Sequence, residues 1–251
     1  MVHFVGAGSG APDLITVRGA RLLSEADVII YAGSLVNPEL LTYAKKGCEV
    51  YNSAEMTLEE VIGVIKRAES ESKTTVRLHT GDPSLFGAVR EQFDALSALG
   101  IEFSVCPGVS SFSAAAASLK AEYTLPGVSQ SVIIARAEGR TPVPDGQSIC
   151  ELSVHRATMV IFLSASLGEK LQSELLRGGW DANTPAAVVY RASWPDEGIY
   201  RCTVDTVSET LKRNNIKKTA LIIVGNVLGD EYLRSLLYDP SFETGFREAS
   251  K

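Results

Sequence analysis

Gly6, Gly8 and Ala11 in VHFVGAGSGAP (residues 2–12) have the G-x-G-x-x-A spacing of a dinucleotide fingerprint, whose chemistry is to seat a pyrophosphate on a helix N-terminus. That chemistry also needs an Asp or Glu near the end of the second strand, to hold the ribose hydroxyls. Here the second apolar run ends IIYAGSLV (29–36), with Ala32 and Gly33 where the acid belongs. Pro12 directly follows the third fingerprint position and removes a backbone N–H from the anion-binding turn. A dinucleotide is therefore disfavoured twice, and a P-loop is excluded because no Gly-Lys-Ser/Thr follows the glycines. Two more loops carry similar residues, HTGDPSLFG (79–87) and CPGVSSFSAAAA (106–117). Each has a plain structural reading: Asp82 as a helix cap with Pro83 at the first helical position, and Ser110 or Ser111 as an N-cap before a close-packing alanine face. His79 alone reads as a polar strand end.

All three loops follow short β-rich runs. From residue 2 to about 118 the pattern gives strands at 2–5, 27–31, 48–51, 74–78 and 102–106, with helical patterns at 57–70 and 84–99 between them. Strand–helix alternation of this kind predicts a parallel sheet with helices on its faces, and open parallel sheets bind ligands at the carboxyl ends of their strands. The Pro/Gly-bearing stretch AEYTLPGVSQ (121–130) then breaks the rhythm and reads as an interdomain linker. Further strands are predicted at 131–135, 158–163, 186–191, 198–204 and 219–225, with helices near 147–155, 167–177 and 205–213. The 191–198 connection is too short for a crossover helix, so its flanking strands should pair antiparallel. The expectation is an α/β protein of two α/β domains, 1–120 with a mostly parallel sheet and 121–251 with a mixed one.

The 251 residues suffice for two such domains, and 45% hydrophobic with 22% charged residues is an ordinary folded composition. A net charge of −6 argues against a nucleic-acid footprint. No apolar run reaches the ~20 residues of a membrane helix, and Met1-Val2-His3 leads into the first strand without a signal-peptide pattern, so a cytoplasmic protein is expected. Cys48, Cys106, Cys150 and Cys202 are scattered, which predicts reduced, mostly buried thiols and neither a metal site nor a disulfide framework.

Taken together, GAGSGAPDLIT, YAGSLV, TGDPSLFG and PGVSS, in this order, resemble the tetrapyrrole (corrin/porphyrin) methyltransferase family. RAEGRTPVP (136–144) and ASWPDE (192–197) resemble the branch that methylates precorrin-4, or its cobalt form, at C11 in cobalamin synthesis. The resemblance implies a homodimer that binds S-adenosyl-L-methionine in a cleft between its domains. It places Thr80, Gly81, Asp82, Leu85, Phe86, Ser110 and Ser111 against the cofactor's methionine and ribose, and Leu163, Tyr190, Ala220 and Leu221 around its adenine. Without the resemblance, Leu163, Ala220 and Leu221 read as core.

The tetrapyrrole is implied to meet Gly8, Pro12, Ser34, His79, Arg136, Glu138 and Arg140. Its acetate and propionate groups call for cations, and arginine suits bidentate carboxylate pairing. In an extended segment, residues 136, 138 and 140 would point one way as an Arg–Glu–Arg cluster. Methyl transfer to an electron-rich ring carbon can run on proximity and exclusion of water, so no catalytic base is assigned; Glu138 is the nearest candidate. The alternatives are a relative acting at another ring position or on a non-tetrapyrrole acceptor in the manner of diphthine synthase, an NAD(P)-dependent oxidoreductase, and a corrinoid carrier without turnover.

Overall fold

The computed structural model describes residues 1–250, the side chain of Ser34 excepted. The chain forms two compact units, Met1–Ala114 with Ala192–Asp196, and Ala115–Arg191 with Glu197 onward. The division thus falls inside a helix a little before residue 120, and a short later segment returns to the first unit. The stretch 121–130 belongs to the second unit and is packed rather than free: Tyr123 is buried, its carbonyl accepts from Thr158 Oγ1 at 2.8 Å, and Ser129 Oγ accepts the Thr158 N–H.

In the first unit, β1 (Val2–Gly6), β2 (Val28–Tyr31), β3 (Glu49–Asn52), β4 (Thr75–His79) and β5 (Phe103–Cys106) form one sheet in the order β3-β2-β4-β1-β5, every pairing parallel. Alternation along the strands buries both faces. Val5, Ile29, Val76 and Leu78 pack with Leu22 and Leu23 of α1 (Val17–Glu25). Val2, Phe4, Val28 and Ile30 pack with Val61 and Ile65 of α2 (Leu58–Ser70) and Leu96 of α3 (Arg90–Ala98). Each fully buried Leu, Ile or Phe contributes roughly 1.5–3 kcal/mol, so the two apolar faces hold the sheet between its helices. The chain leaves β1 towards β2 on one side and β4 towards β5 on the other, which makes the carboxyl ends of the adjacent β1 and β4 the topological switch point.

The helix expected from residue 84 begins only at Arg90. Phe86 (φ 54°) and Ala88 (φ 47°) are left-handed, a conformation no α-helix accepts, so 82–89 is a loop. Likewise α1 does not follow the glycine loop directly. A 3-10 turn at Pro12–Leu14 intervenes, and the helix starts at Val17 behind its own cap, Thr16 Oγ1, which accepts the Gly19 N–H at 3.0 Å. The helix N-terminus that a dinucleotide needs is not at the glycines, a third reason against that ligand.

α4 (Ser111–Leu119) runs from the first unit into the second. There β6 (Val132–Arg136), β7 (Thr158–Phe162), β8 (Pro185–Tyr190), β9 (Gly198–Thr203) and β10 (Ala220–Val224) order as β6-β7-β10-β8-β9. Only β6–β7 is parallel, and β8 and β9 pair antiparallel as their short connection requires. Ile161, Val188 and Ile222 pack against Ile149 of α5 (Ile149–Ser153), Leu171 and Leu175 of α6 (Gly168–Arg177), and Val207 and Leu211 of α7 (Val207–Arg213). Val160, Ala187, Val189 and Ile223 on the opposite face are buried as well. Of the four free cysteines only Cys106 is buried; the others are half-buried.

Candidate cofactor and substrate site

At the switch point three glycines put three loops in backbone contact. A Cβ on Gly108 would stand 2.1 Å from the Gly81 carbonyl oxygen and 2.7 Å from Gly6 Cα, and one on Gly6 would stand 2.5 Å from Gly108 Cα. Beside this junction Gly8 and Gly81, both left-handed, bridge reciprocally, with Gly81 N donating to the Gly8 carbonyl at 2.9 Å. The fingerprint glycines therefore serve close packing of loops, and Gly8 and Gly81 are brought together although far apart in sequence.

Asp82 does not start a helix. Its Oδ1 accepts the Ser84 N–H at 2.9 Å and the Ser84 hydroxyl, while Oδ2 accepts the Gly108 N–H at 2.8 Å. Burial pushes this carboxyl up, but those hydrogen bonds outweigh it and hold the group below its ordinary value. The side chain so clamps the loop after β4 to the loop after β5, next to Ser110 and Ser111 at the start of α4. Phe86, left-handed, is 45% exposed, and Leu85 is half-buried.

Two neighbouring polar atoms at the end of β4 are buried without a hydrogen-bond partner, His79 Nε2 and Thr80 Oγ1. Orphaned polar atoms in this position suit a ligand that supplies their partners. His79 is 4% exposed and stacks on Phe4 at 5.9 Å. Burial, and secondly the charge of Arg77, lower its pKa to about 3, so the ring is neutral. Arg77, two residues before His79, is a second buried basic group on this strand. It is buried in the middle of β4 with neutral acceptors only, Gln92 Oε1 at 3.0 Å and the Ile30 carbonyl at 3.1 Å, and burial lowers it to about 10.

The second unit gathers its residues at one end of its sheet. Tyr190 pairs with Ala220, and Ile222 pairs with Ile161. Leu163, one residue beyond β7, stands at the same end of the sheet as the Tyr190–Ala220 pair. Leu163 is not core: it is left-handed (φ 53°) and 64% exposed. Ala220 and Leu221 are buried, on opposite faces by strand alternation.

The one-sided Arg–Glu–Arg cluster does not form, because β6 ends at Arg136 and the chain bends at Gly139 and Arg140. Arg136 turns back on its own loop, donating to the Thr141 carbonyl at 3.1 Å and the Pro142 carbonyl at 2.7 Å. Glu138 is held by Lys170, whose Nζ lies 3.3 Å from its carboxylate and 2.8 Å from its carbonyl oxygen. Arg140 is exposed and has no hydrogen-bond or ion-pair partner among the described residues. Gly8 and Pro12 bracket the glycine loop; the side chain of Ser34 lies outside the described residues.

A parallel α/β sheet with a glycine-packed switch point and, in the same chain, a mixed α/β sheet define a protein of two α/β sheets. The Tetrapyrrole (Corrin/Porphyrin) Methylases family model matches residues 1–208, and the chain belongs to that family. It is 55% identical to the cobalt-precorrin-4 C(11)-methyltransferase of Methanocaldococcus jannaschii, over 100% of this chain and 97% of that protein. The X-ray structure of a cobalt precorrin-4 methyltransferase of cobalamin biosynthesis superposes with a TM-score of 0.89 at 45% identity, covering 91% of this chain and 96% of the other. The uroporphyrin-III C-methyltransferase of Thermus thermophilus, in complex with S-adenosylhomocysteine, gives 0.75 at 30% identity, over 91% and 93%. Among the described residues no helix is long and apolar enough to cross a membrane.

Proposed function

We propose that this chain is the S-adenosyl-L-methionine-dependent methyltransferase that methylates precorrin-4, or its cobalt complex, at C11 in corrin-ring synthesis, working as a cytoplasmic homodimer. The observation that carries this reading is identity at 55% along the whole chain with a protein of that activity. The residues fit the donor. Thr80 offers an unsatisfied hydroxyl, Phe86 and Leu163 offer apolar surface on left-handed backbone, and Gly81 takes the left-handed backbone of the loop between Thr80 and Phe86. When bound, S-adenosyl-L-methionine supplies an electrophilic methyl group on sulfonium sulfur.

The chain's own part is to bind, orient and exclude water, which can contribute effective molarities of about 10⁵ M or more. Thr80, Gly81, Leu85, Phe86, Ser110 and Ser111 line the donor's methionine and ribose side, and Asp82 keeps the β4 and β5 loops in register. Leu163, Tyr190 and Ala220 take the adenine side, with Leu221 beneath. Neutral His79 puts no positive charge beside a sulfonium. Arg140 is the cation available to a substrate carboxylate; Arg136 shapes the loop that carries it. Glu138, held by Lys170, is not poised as a base, and the reading assigns none.

The test is turnover of methyl-labelled donor with precorrin-4 and with its cobalt complex, the product read by mass spectrometry and carbon NMR. One label at C11 is expected. A label at another ring carbon, or none with either substrate, overturns the reading.

A further inference from the structure

The segment Ala192–Asp196, which follows β8 and precedes β9 in the chain, belongs to the first unit. Its hydrogen bonds there reach the glycine loop. Ser193 Oγ lies 2.9 Å from Ser9 Oγ and accepts the Ala11 N–H at 3.1 Å, and Trp194 Nε1 donates to the Ser9 carbonyl at 3.2 Å. The indole occupies the space a side chain at Gly10 would need: a Cβ there would stand 2.2 Å from Trp194 Cδ1 and 2.3 Å from Nε1. From its other side Gly10 is held through its carbonyl, which accepts from buried Asn37 Nδ2 at 2.9 Å. Arg191 (φ 47°) and Ser193 (φ 66°) are left-handed without being glycine, a strained backbone that persists only where its surroundings over-determine it.

A turn that only had to reverse the chain would satisfy itself locally. This one is fixed by side chains from two remote segments, through hydrogen bonds to its backbone, between the two loop positions, Gly8 and Pro12, that the family resemblance sets against the tetrapyrrole. Gly8 is tied to Gly81 on the donor side; Ser9, Gly10 and Ala11 are tied to the 192–196 strap and Asn37, and the Ala11 carbonyl also accepts the Leu14 N–H at 3.1 Å. We infer that Ser193 and Trp194 are positioning residues for the acceptor: they hold Ser9–Gly10–Ala11 in the one conformation that receives the macrocycle, without touching the donor. This rests on the methyltransferase reading above.

The experiment uses full-length Ser193→Ala and Trp194→Phe, each removing hydrogen bonds to the loop while keeping most of the volume. Three quantities are read: amide exchange at Ala11, affinity for S-adenosylhomocysteine, and KM and kcat for precorrin-4 or its cobalt complex. Ser193→Ala should speed Ala11 exchange about fivefold or more, and both variants should raise the tetrapyrrole KM about fivefold or more with S-adenosylhomocysteine affinity unchanged. Faster exchange with an unchanged KM overturns the positioning role, as does a loss of S-adenosylhomocysteine affinity equal to the change in KM. Unchanged Ala11 exchange in Ser193→Ala overturns the strap itself. A parent protein that binds S-adenosylhomocysteine yet methylates neither substrate form overturns the functional reading instead, and Ala11 exchange still decides whether Ser193 holds the loop.

Discussion

Gly108→Ala is expected to destabilise the first unit by about 2–4 kcal/mol, although alanine is ordinarily the more stabilising residue of the two. The added Cβ would lie 2.1 Å from the Gly81 carbonyl oxygen, 2.7 Å from Gly6 Cα and 2.9 Å from the Gly6 carbonyl carbon. All three are backbone atoms, so no side chain can rotate away and one loop must move by about an ångström. Overpacking of this kind costs about 1–3 kcal/mol. The movement also pulls the Gly108 N–H from Asp82 Oδ2, a charge-assisted bond worth about 1.5–3 kcal/mol, less here because Asp82 is only partly buried. Against this, restricting the unfolded chain returns about 0.4–1 kcal/mol. Gly108 is not among the positive-φ residues, so no left-handed-backbone penalty adds to these two. Thermal unfolding should fall by ~5–15 °C, and S-adenosylhomocysteine affinity should drop more than tenfold. Gly63→Ala in α2 is the control: a Cβ there meets nothing within 4 Å, and stability should rise by about 0.5–1 kcal/mol. If Gly108→Ala matches its parent in both stability and affinity, the three-loop junction is not what these glycines are for.

The pH dependence of stability follows from His79. Its folded pKa, about 3, lies below the unfolded 6.5, so the unfolded chain binds the extra proton between those values and stability falls as pH falls, by up to about 1.4 kcal/mol per unit. His79→Gln should flatten that slope between pH 6 and 4 in urea unfolding; parallel profiles for parent and variant would contradict it. Leu163→Gly should change stability by less than about 1 kcal/mol, because the leucine is exposed and left-handed, whereas a core leucine would cost about 2–5 kcal/mol. Its S-adenosylhomocysteine affinity, by calorimetry, should fall several-fold, and unchanged affinity would remove Leu163 from the adenine side. Arg140→Ala should raise the tetrapyrrole KM with donor affinity intact, while Arg136→Ala should speed amide exchange in the 137–142 loop; steady-state kinetics and exchange mass spectrometry separate the two.

Period and punctuation in the sequence carried the architecture. The ten strands of the described residues, the parallel first sheet and the antiparallel β8–β9 pair follow from apolar runs of strand length, the helices between them, and a connection too short to cross over. The loops proposed to bind the donor were legible as loops, because TGDP and PGVSS stand at strand ends, where an open parallel sheet can only place loops. Helix starts were less legible. Asp82-Pro83 has the chemistry of a cap, yet Asp82 spends its oxygens on Ser84 and on Gly108, and a local reading cannot see a partner 26 residues away.

What only the tertiary structure decided is how each polar or unusual residue is used. Glu138 and Arg136 look like site charges in one dimension; in three, Lys170 and the Thr141 and Pro142 carbonyls have them. Leu163 is core by composition and exposed in fact, because the strand ends one residue before it. Arg77, Asn37, Ser193 and Trp194 are engaged by long-range hydrogen bonds, which leave no periodic trace. The difference is physical: local backbone preference and apolar period are properties of neighbours in the chain, so a sequence displays them, whereas a hydrogen bond or a missing Cβ has meaning only once distant segments lie within a few ångströms.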